Sequence, residues 1–560
     1  MAPLPHKDQI SPLERLLSLG FWACIATAFL LIFLLVFSNS ANAQWSTDPA
    51  APLAVCIAPN DQTSLRAFAD GNGGWYAFWL DKRTDGLLGE VYGQHFDADG
   101  YAQWTANGKL LISVPDTGIK ELAPVLLDNG NVLINYIYGP SVWQFSLHTM
   151  AFDAAGDPVW AEPTVLDEAG TTMLGFDQVT AIATAGGAYV GWYDNYFGGS
   201  NLVNLTRIDN DGTLPWGGER TIDLAYYGPF ELHGDAADGV LVQWRTGNGA
   251  GAALQAMRVD PTGADLWPLN VQVSPENAGL SYAFHTVETG AGPQITVWRD
   301  INGDIMMARL DISGSLTFPT DTMPVCTYAS YHDLPKLAMS DGTLYAAWAD
   351  NRPPAANGDV YLQKFDADGA PLWTVDGLVG ISISTNYTTP GLVASDSGAV
   401  IAMTDGNLDG YVALRIRDDG TPAWSALGTF CTFDFRPFYN ERIEMPDGDG
   451  GVVSFWRNWA GDLHAARIVR TGVAAGTTSM GEARPAQHVM AYPNPAQDRI
   501  TLQFPSGEVP LGVEVIDGLG AIHAAALQGG SISVGSLAPG AYTVRIRTRS
   551  AAYTARFIKE

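Results

Sequence analysis

Two short patterns recur along the chain, and each alternates apolar and polar residues over about five to seven positions. Both are rich in β-branched and aromatic types and read as strands. The first runs from a glycine-rich start to a tryptophan, as in Asp70-Gly-Asn-Gly-Gly-Trp-Tyr-Ala-Phe-Trp79-Leu-Asp81 and Asp341-Gly-Thr-Leu-Tyr-Ala-Ala-Trp348-Ala-Asp350. The second is Val91-Tyr-Gly-Gln-His-Phe-Asp97, repeated as Val360-Tyr-Leu-Gln-Lys-Phe-Asp366. A tight turn follows it. Phe96-Asp-Ala-Asp-Gly-Tyr-Ala-Gln-Trp104 comes back as Phe365-Asp-Ala-Asp-Gly-Ala-Pro-Leu-Trp373, with Gly supplying the positive φ of the turn. Looser copies end on Trp160, Trp216, Trp267 and Trp424, and Leu310-Asp-Ile-Ser-Gly-Ser is a copy without its Trp.

The aspartate of the second pattern falls at 97, 153, 209, 260, 311, 366 and 418, with a degenerate copy near Ile468. A period of about 51 to 56 residues suits a four-stranded propeller blade and exceeds most solenoid repeats. The expected fold class is all-β: an eight-bladed β-propeller, with seven blades as the alternative, followed by a small C-terminal Ig-like β-sandwich. The last unit stops after Arg467-Ile-Val, without its turn and Trp. An orphan Trp45 followed by Ala51-Pro-Leu-Ala-Val-Cys56 matches Trp104 followed by Lys109-Leu-Leu-Ile-Ser-Val. The N-terminal strand is therefore expected to complete the last blade and close the ring, which removes an exposed sheet edge.

Residues 16–37 are nearly all apolar and hold no charge. Lys7 and Arg15 precede them, and Ser38-Asn-Ser-Ala-Asn-Ala43 follows. This reads as a signal peptide cut between Ala43 and Gln44, with an uncleaved anchor as the alternative. No later stretch reads as a membrane helix. The expected domains are 1–43 signal peptide, 44–470 propeller, 471–487 linker and 488–560 C-terminal domain.

Composition sharpens this picture. Sixty-one glycines, 17 tryptophans and only 16% charged residues suit a β-rich extracellular protein with many turns. The net charge is −29, and residues 486–560 hold six Lys/Arg against five Asp/Glu, so the acidity lies in the repeats. Such a surface repels nucleic acid and anionic lipid and keeps an exported protein soluble. Of four cysteines, Cys24 leaves with the signal, and Cys56, Cys326 and Cys431 share a repeat position. An odd remainder excludes a disulfide framework, and shared position indicates packed core sites. No Cys/His pair stands at a spacing that suggests a catalytic thiol.

The C-terminal domain carries Tyr492-Pro493-Asn494-Pro495, then Leu537-Ala-Pro539-Gly540-Ala-Tyr-Thr-Val544, then Arg556-Phe-Ile-Lys559. This series resembles the C-terminal sorting domain of the type IX secretion system of Bacteroidetes-like bacteria. The resemblance implies inner-membrane passage by the signal and outer-membrane passage with the type IX machinery as partner. It also implies a secreted or outer-membrane-surface location. The Asp-x-x-Gly-x-x-x-Trp pattern resembles the tryptophan-docking repeats of eight-bladed quinoprotein propellers and, more distantly, the Asp-box of sialidases. That resemblance implies a structural role between blades for Trp104, Trp160, Trp216, Trp267, Trp373 and Trp424. The spacing departs by about one residue from the quinoprotein motif, and neither the adjacent cysteine pair nor the Asp-box Ser/Thr is present. The resemblance therefore implies architecture and no activity.

Candidate chemistry is sparse. Paired carboxylates in the Asp-x-Asp-Gly loops suit a hard cation, but Gly follows them at once and then an apolar stretch, so they read as hairpin turns. The richest acidic loop, Pro446-Asp-Gly-Asp-Gly-Gly451, makes Asp447 and Asp449 the candidate calcium ligands; no other cofactor is expected. Trp79-Leu-Asp81-Lys-Arg83 and Trp348-Ala-Asp350-Asn-Arg352 read as structural Asp–Arg pairs, and Arg245, Arg299 and Arg457 fit the same role. The carboxylates outside the repeat are Glu219, Glu231, Asp235, Glu276, Glu288, Glu441 and Glu444, and nothing in the sequence brings two of them together. The histidines show no metal-ligand spacing. No catalytic residue is named. The expected function is a secreted or surface-displayed binding module for a glycan or a surface protein. The alternatives are a hydrolase acting on polysaccharide or sialoside, and a purely structural surface module. An asymmetric cluster lining the channel in one or two blades separates a dedicated site from a uniformly repeated mouth.

Overall fold

A computed structural model describes residues 45–46, 51–472 and 487–560, less short internal stretches, the longest being 168–172, 196–200, 224–228, 276–283, 382–389, 433–440 and 504–509. The signal segment, the Ala43–Gln44 cleavage point and most of the linker lie outside the described residues. Among the described residues every regular element is a strand, and no helix is long and apolar enough to cross a membrane.

Eight four-stranded antiparallel sheets follow one another in a propeller-like array. Sheet I is Gln62–Ala69, Trp75–Asp81, Glu90–Phe96 and Lys109–Ile112. Sheets II to VII begin at the strands Ile119–Leu126, Met173–Thr184, Phe230–Gly234, Phe284–Glu288, His332–Ser340 and Gly391–Ser395. Sheet VIII joins Arg442–Pro446, Val452–Arg457 and Leu463–Ile468 to the N-terminal strand Leu53–Cys56, with Leu53 opposite Ala465 and Ala54 opposite His464. The first strand of each sheet touches the first strands of the sheets before and after it, and those of sheets I and VIII touch each other. These strands form the inner circle. Strict up-and-down order puts the turns after first and third strands on one face. The loops after second strands and the sheet-to-sheet connections lie on the other.

The repeat motif explains how one sheet holds the next. In Asp97-Ala-Asp-Gly100 the first carboxylate accepts the Asp99 and Tyr101 amides at 3.0 and 2.9 Å, and Asp153, Asp260, Asp311 and Asp366 do the same in their turns. The glycine sits at positive φ, 75° to 88° over the eight turns. Against it lies the ring from the preceding sheet. A Cβ on Gly156 would stand 3.1 Å from the Trp104 indole, and one on Gly263 would stand 3.2 Å from Trp216. Each indole also donates Nε1–H to the carbonyl two residues before that glycine: Trp45 to Ala98, Trp104 to Ala154, Trp160 to Asn210, Trp216 to Pro261, Trp267 to Ile312, Trp373 to Asp418 and Trp424 to Arg470, at 2.8 to 3.2 Å. A buried glutamine fixes the start of this segment: Gln94 accepts the His95 and Trp104 amides and donates to Thr105 O, and Gln363 does the same around Trp373.

The junction between sheets V and VI has no indole. The position reads Phe318, whose ring packs on Gly369. A phenyl ring cannot donate. Arg309 lies over it, 4.8 Å from its centroid, and donates to Ala367 O, the carbonyl an indole would reach. Phenylalanine and arginine together thus do the work of one tryptophan.

The C-terminal unit folds around its own core, including Ile500, Leu502, Val515, Ile532, Val534, Val544 and Phe557. A five-stranded and a four-stranded sheet face each other across it. The terminal strand Ala552–Lys559 pairs along Gly540–Thr548. Asn494 clips it in place, accepting the Ile558 amide at 2.9 Å and donating to Arg556 O at 3.2 Å.

Trp267 is 6% exposed, so Trp267→Ala should lower the stability of the repeat region by about 3 kcal/mol, read from the denaturant midpoint. Arg309→Met should cost about 1 kcal/mol by leaving Ala367 O without its donor.

Candidate functional site

The two full Trp-x-Asp-x-Arg motifs build matching buried nodes. In the first, Asp81 accepts Trp79 Nε1 at 2.9 Å, Arg83 Nη2 at 2.6 Å and the Arg83 amide at 2.8 Å. Arg83 also reaches Cys56 Sγ at 3.3 Å and Asn107 O at 2.6 Å, and its guanidinium lies over Tyr92. In the second, Asp350 accepts Trp348 Nε1 and Arg352, which contacts Cys326 Sγ at 3.2 Å and lies over Tyr361. Cys56 and Cys326 are buried free thiols; the Cys431 side chain lies outside the described residues. Burial pushes the Cys56 thiol up to about 12, which makes it inert.

One position differs between the nodes. Where the first has Gln62, bonded to Ala58 and Asn60 carbonyls, the second has His332. Its Nε2 stands 3.2 Å from Asp350, 3.4 Å from Cys326 Sγ and 3.0 Å from Ser330 Oγ, and its Nδ1 stands 2.8 Å from Gly303 O. The sequence had offered no Cys/His pair, and this one escaped because its members flank a sheet-to-sheet connection. Cys326, His332 and Asp350 form the single group of three potential metal ligands among the described residues. The chemistry of the node argues against a metal centre. Burial opposes charge on the ring, but hydrogen bonds to Asp350, Cys326 and Gly303 outweigh it and raise His332 to about 10. Asp350 is likewise buried, yet His332, Arg352 and Ser330 hold its carboxyl well below the usual carboxylate range. The Arg352 guanidinium donates to both the sulfur and the carboxylate, so the donor atoms a metal would take are already held by a cation. Nor is this a nucleophile: one ring nitrogen faces both thiol and carboxylate, whereas a catalytic triad uses opposite nitrogens.

The acidic loops are occupied by their own backbone. Asp447 Oδ1 accepts the Asp449 and Gly451 amides at 2.8 and 2.7 Å, and its Oδ2 pairs with Arg467 at 3.2 Å. Asp449 is exposed and does not join it in a ligand group among the described residues.

The inner circle is different, because its charges do not repeat from sheet to sheet. Glu231 and His233 come from sheet IV, His285 and Glu288 from sheet V, Lys336 from sheet VI, and Arg442 and Glu444 from sheet VIII. Glu231 and His233 are 3.1 Å apart, and Arg442 is ion-paired with Glu444. Burial pushes the Lys336 ammonium below its ordinary value, while Glu231 and Glu444 pull the other way and Arg442 adds to the depression. Burial, with Lys336 beside it, lowers His285 to about 4, so its ring is neutral; its Nδ1 accepts the Leu337 amide at 3.3 Å. Glu441 accepts the Ser64 amide at 2.7 Å and lies 3.5 Å from Arg457. Of the other carboxylates outside the repeat, Asp235 is bound to Arg258 and turn amides, Glu219 is exposed on a turn, and Glu276 lies outside the described residues.

The His332 node sets a pH dependence. Its folded value near 10 lies above the ordinary 6.5, so its stabilisation is complete below pH 6.5 and is lost as pH rises through 10. Asp350 contributes above the ordinary 3.8 and loses its contribution as pH falls below it. His332→Gln, which copies Gln62, should therefore keep the fold and flatten the alkaline limb of melting temperature against pH. EDTA should leave the melting temperature unchanged, since the turn carboxylates are satisfied by amides and Arg467.

No curated protein matches the chain. Among solved structures, the BP39L lectin from Burkholderia pseudomallei is 12% identical, with 64% of this chain and 98% of that one aligned at a TM-score of 0.38. The polysaccharide lyase Uly1 is 8% identical over 54% of this chain and 77% of that one, with a TM-score of 0.37. A protein of unknown function from Dyadobacter fermentans is 10% identical over 67% and 97%, with a TM-score of 0.32. These scores are too low to rank one function above another. Residues 490–560 match the family described as Secretion system C-terminal sorting domain. The clipped terminal strand, the Tyr492-Pro-Asn-Pro495 entry, the Pro539-Gly540 turn and the buried Lys559 all belong to that segment. The C-terminal segment of this chain is a type IX secretion system sorting domain.

Proposed function

We propose that the chain is an exported eight-bladed β-propeller, closed by Leu53–Cys56, that binds a ligand at its central channel. The sorting domain marks the chain for secretion. A signal peptide cut after Ala43 would start that route, and the product is secreted or held on the outer surface. The observation that carries the binding reading is the unequal inner circle: Glu231, His285, Lys336 and Glu444 stand on the first strands of four different sheets and do not repeat from one to the next. A uniformly repeated scaffold has no need of such a set, and buried charge costs free energy unless it serves a contact. A glycan is the preferred ligand and a surface protein the alternative. A hydrolase is the second reading, because two carboxylates outside the repeat, Glu231 and Glu444, stand on first strands of the inner circle. The repeated tryptophans, the Asp–Arg nodes and the Asp447 loop are read as structural.

Removing residues 486–560 should leave the protein in the periplasm, checked by fractionation and immunoblotting; secretion equal to the full chain would refute the export route. A thermal-shift screen of polysaccharides should find at least one stabiliser. Saturation at about 100 times Kd adds roughly 2.7 kcal/mol to the native state. Reducing-end release from the same polysaccharide would favour the hydrolase.

A further inference from the structure

The junction between sheets V and VI, which has Phe318 in place of an indole, also lacks a tyrosine. In sheets I, III and VI the second strand carries Tyr76, Tyr189 and Tyr345, each opposite the residue two before the turn aspartate. Each phenol packs on the indole of its own sheet, with ring centroids 5.8 to 5.9 Å apart. Tyr189 then donates to Asp238 O, in the first turn of the next sheet, at 2.7 Å, and Tyr345 donates to Asp418, in the third-strand turn of the next sheet. Sheet V has Ile295 at this position, opposite Arg309. The other sheets with an aliphatic residue there keep their indole, so sheet V alone lacks both rings.

A cavity of about 340 Å³ lies at this junction. Ile295 lines it, and so do Gly342 and Ala367, the counterparts of Asp238 and Asp418. The cavity thus stands where a tyrosine ring stands in other sheets. Leu344 extends its aliphatic wall, and Arg309, Asp311 and Asp366 bring charge to it. We propose that this cavity binds a single uncharged sugar ring, at a site separate from the central channel.

Its polar groups are only partly used. Arg309 spends Nε and one N–H of Nη2 on Thr317, and one N–H of Nη1 on Ala367 O, so each Nη keeps an N–H to donate. Asp311 and Asp366 hold their turn amides through Oδ1, and among the described residues the Oδ2 of each accepts no hydrogen bond. A sugar hydroxyl donates once and also accepts, so it matches guanidinium N–H beside carboxylate oxygen, while its C–H face suits Ile295 and Leu344. A purely aromatic ligand would strip water from the carboxylates and return no hydrogen bond. An anion would meet Asp311 and Asp366, and an alkyl cation would meet Arg309.

The test is calorimetric titration of the full chain with the methyl glycosides of glucose, galactose, mannose, fucose and xylose, and with p-cresol and butylamine as counter-probes. At least one glycoside should bind. Ile295→Tyr, which restores the residue of sheets I, III and VI, should weaken that binding roughly tenfold or more without lowering the melting temperature. Asp366→Asn, which keeps Oδ1 for the turn amides, is the second variant and should weaken it by a similar factor. Glycoside binding unchanged in a folded Ile295→Tyr protein, or in Asp366→Asn, overturns the pocket and moves the sugar elsewhere on the chain. Binding confined to p-cresol or butylamine overturns the sugar class. Binding of no probe overturns the site, whereas the channel reading fails separately, when no polysaccharide shifts the melting temperature.

Discussion

The contact on which the ring depends is a flat ring laid on a glycine. Each sheet ends its third strand in a turn whose glycine has no Cβ, and the ring from the preceding sheet occupies the space that a Cβ would claim. The indole N–H then bonds the turn carbonyl, so one side chain supplies both apolar contact and register. Neither partner tolerates much change. A larger residue at the glycine meets the ring, and it also meets the steric cost of positive φ. The turn aspartate belongs to the same device, because it ties down the amides that hold the glycine in position.

With the junctions made identical, variation is free to concentrate elsewhere. It does so in two places. At the sheet-to-sheet connections, the Cys–Asp–Arg node is kept while its fourth member changes from Gln62 to His332, trading a neutral side chain for a cation. On the inner circle, the charged residues of sheets IV, V, VI and VIII follow no repeat. The first kind of change alters how the frame responds to pH. The second alters what the frame can hold.

The frame was legible in the sequence because it is local and repeated. Asp-x-x-Gly and the ring that follows sit within nine residues, and each turn is satisfied by its own amides. Phe318 was legible too, since it stands as far beyond Leu310 as Trp104 stands beyond Phe96, but its reliance on Arg309 required the folded geometry. The Cys326–His332 contact was hidden by a connection whose path the sequence does not reveal. The inner cluster was hidden more deeply. Its members are contributed one or two per sheet, so no window of sequence contains them, and each alone is an ordinary solvated charge.

The pairing of Leu53–Cys56 with Leu463–Ile468 has a consequence for the timing of assembly. Every other strand of the ring pairs within its own stretch of chain, as soon as the next strand is available. The first strand has no such neighbour and must wait for the last sheet. A contact between sequence-distant segments is slow to form, although the loop-closure cost grows only logarithmically with length. In the closed propeller proposed above, Leu53–Cys56 therefore has no strand to pair with until Leu463–Ile468 has been made. The sorting domain, with a separate core, follows a different clock. The sorting domain is thus made after Leu463–Ile468, the strand on which Leu53–Cys56 pairs.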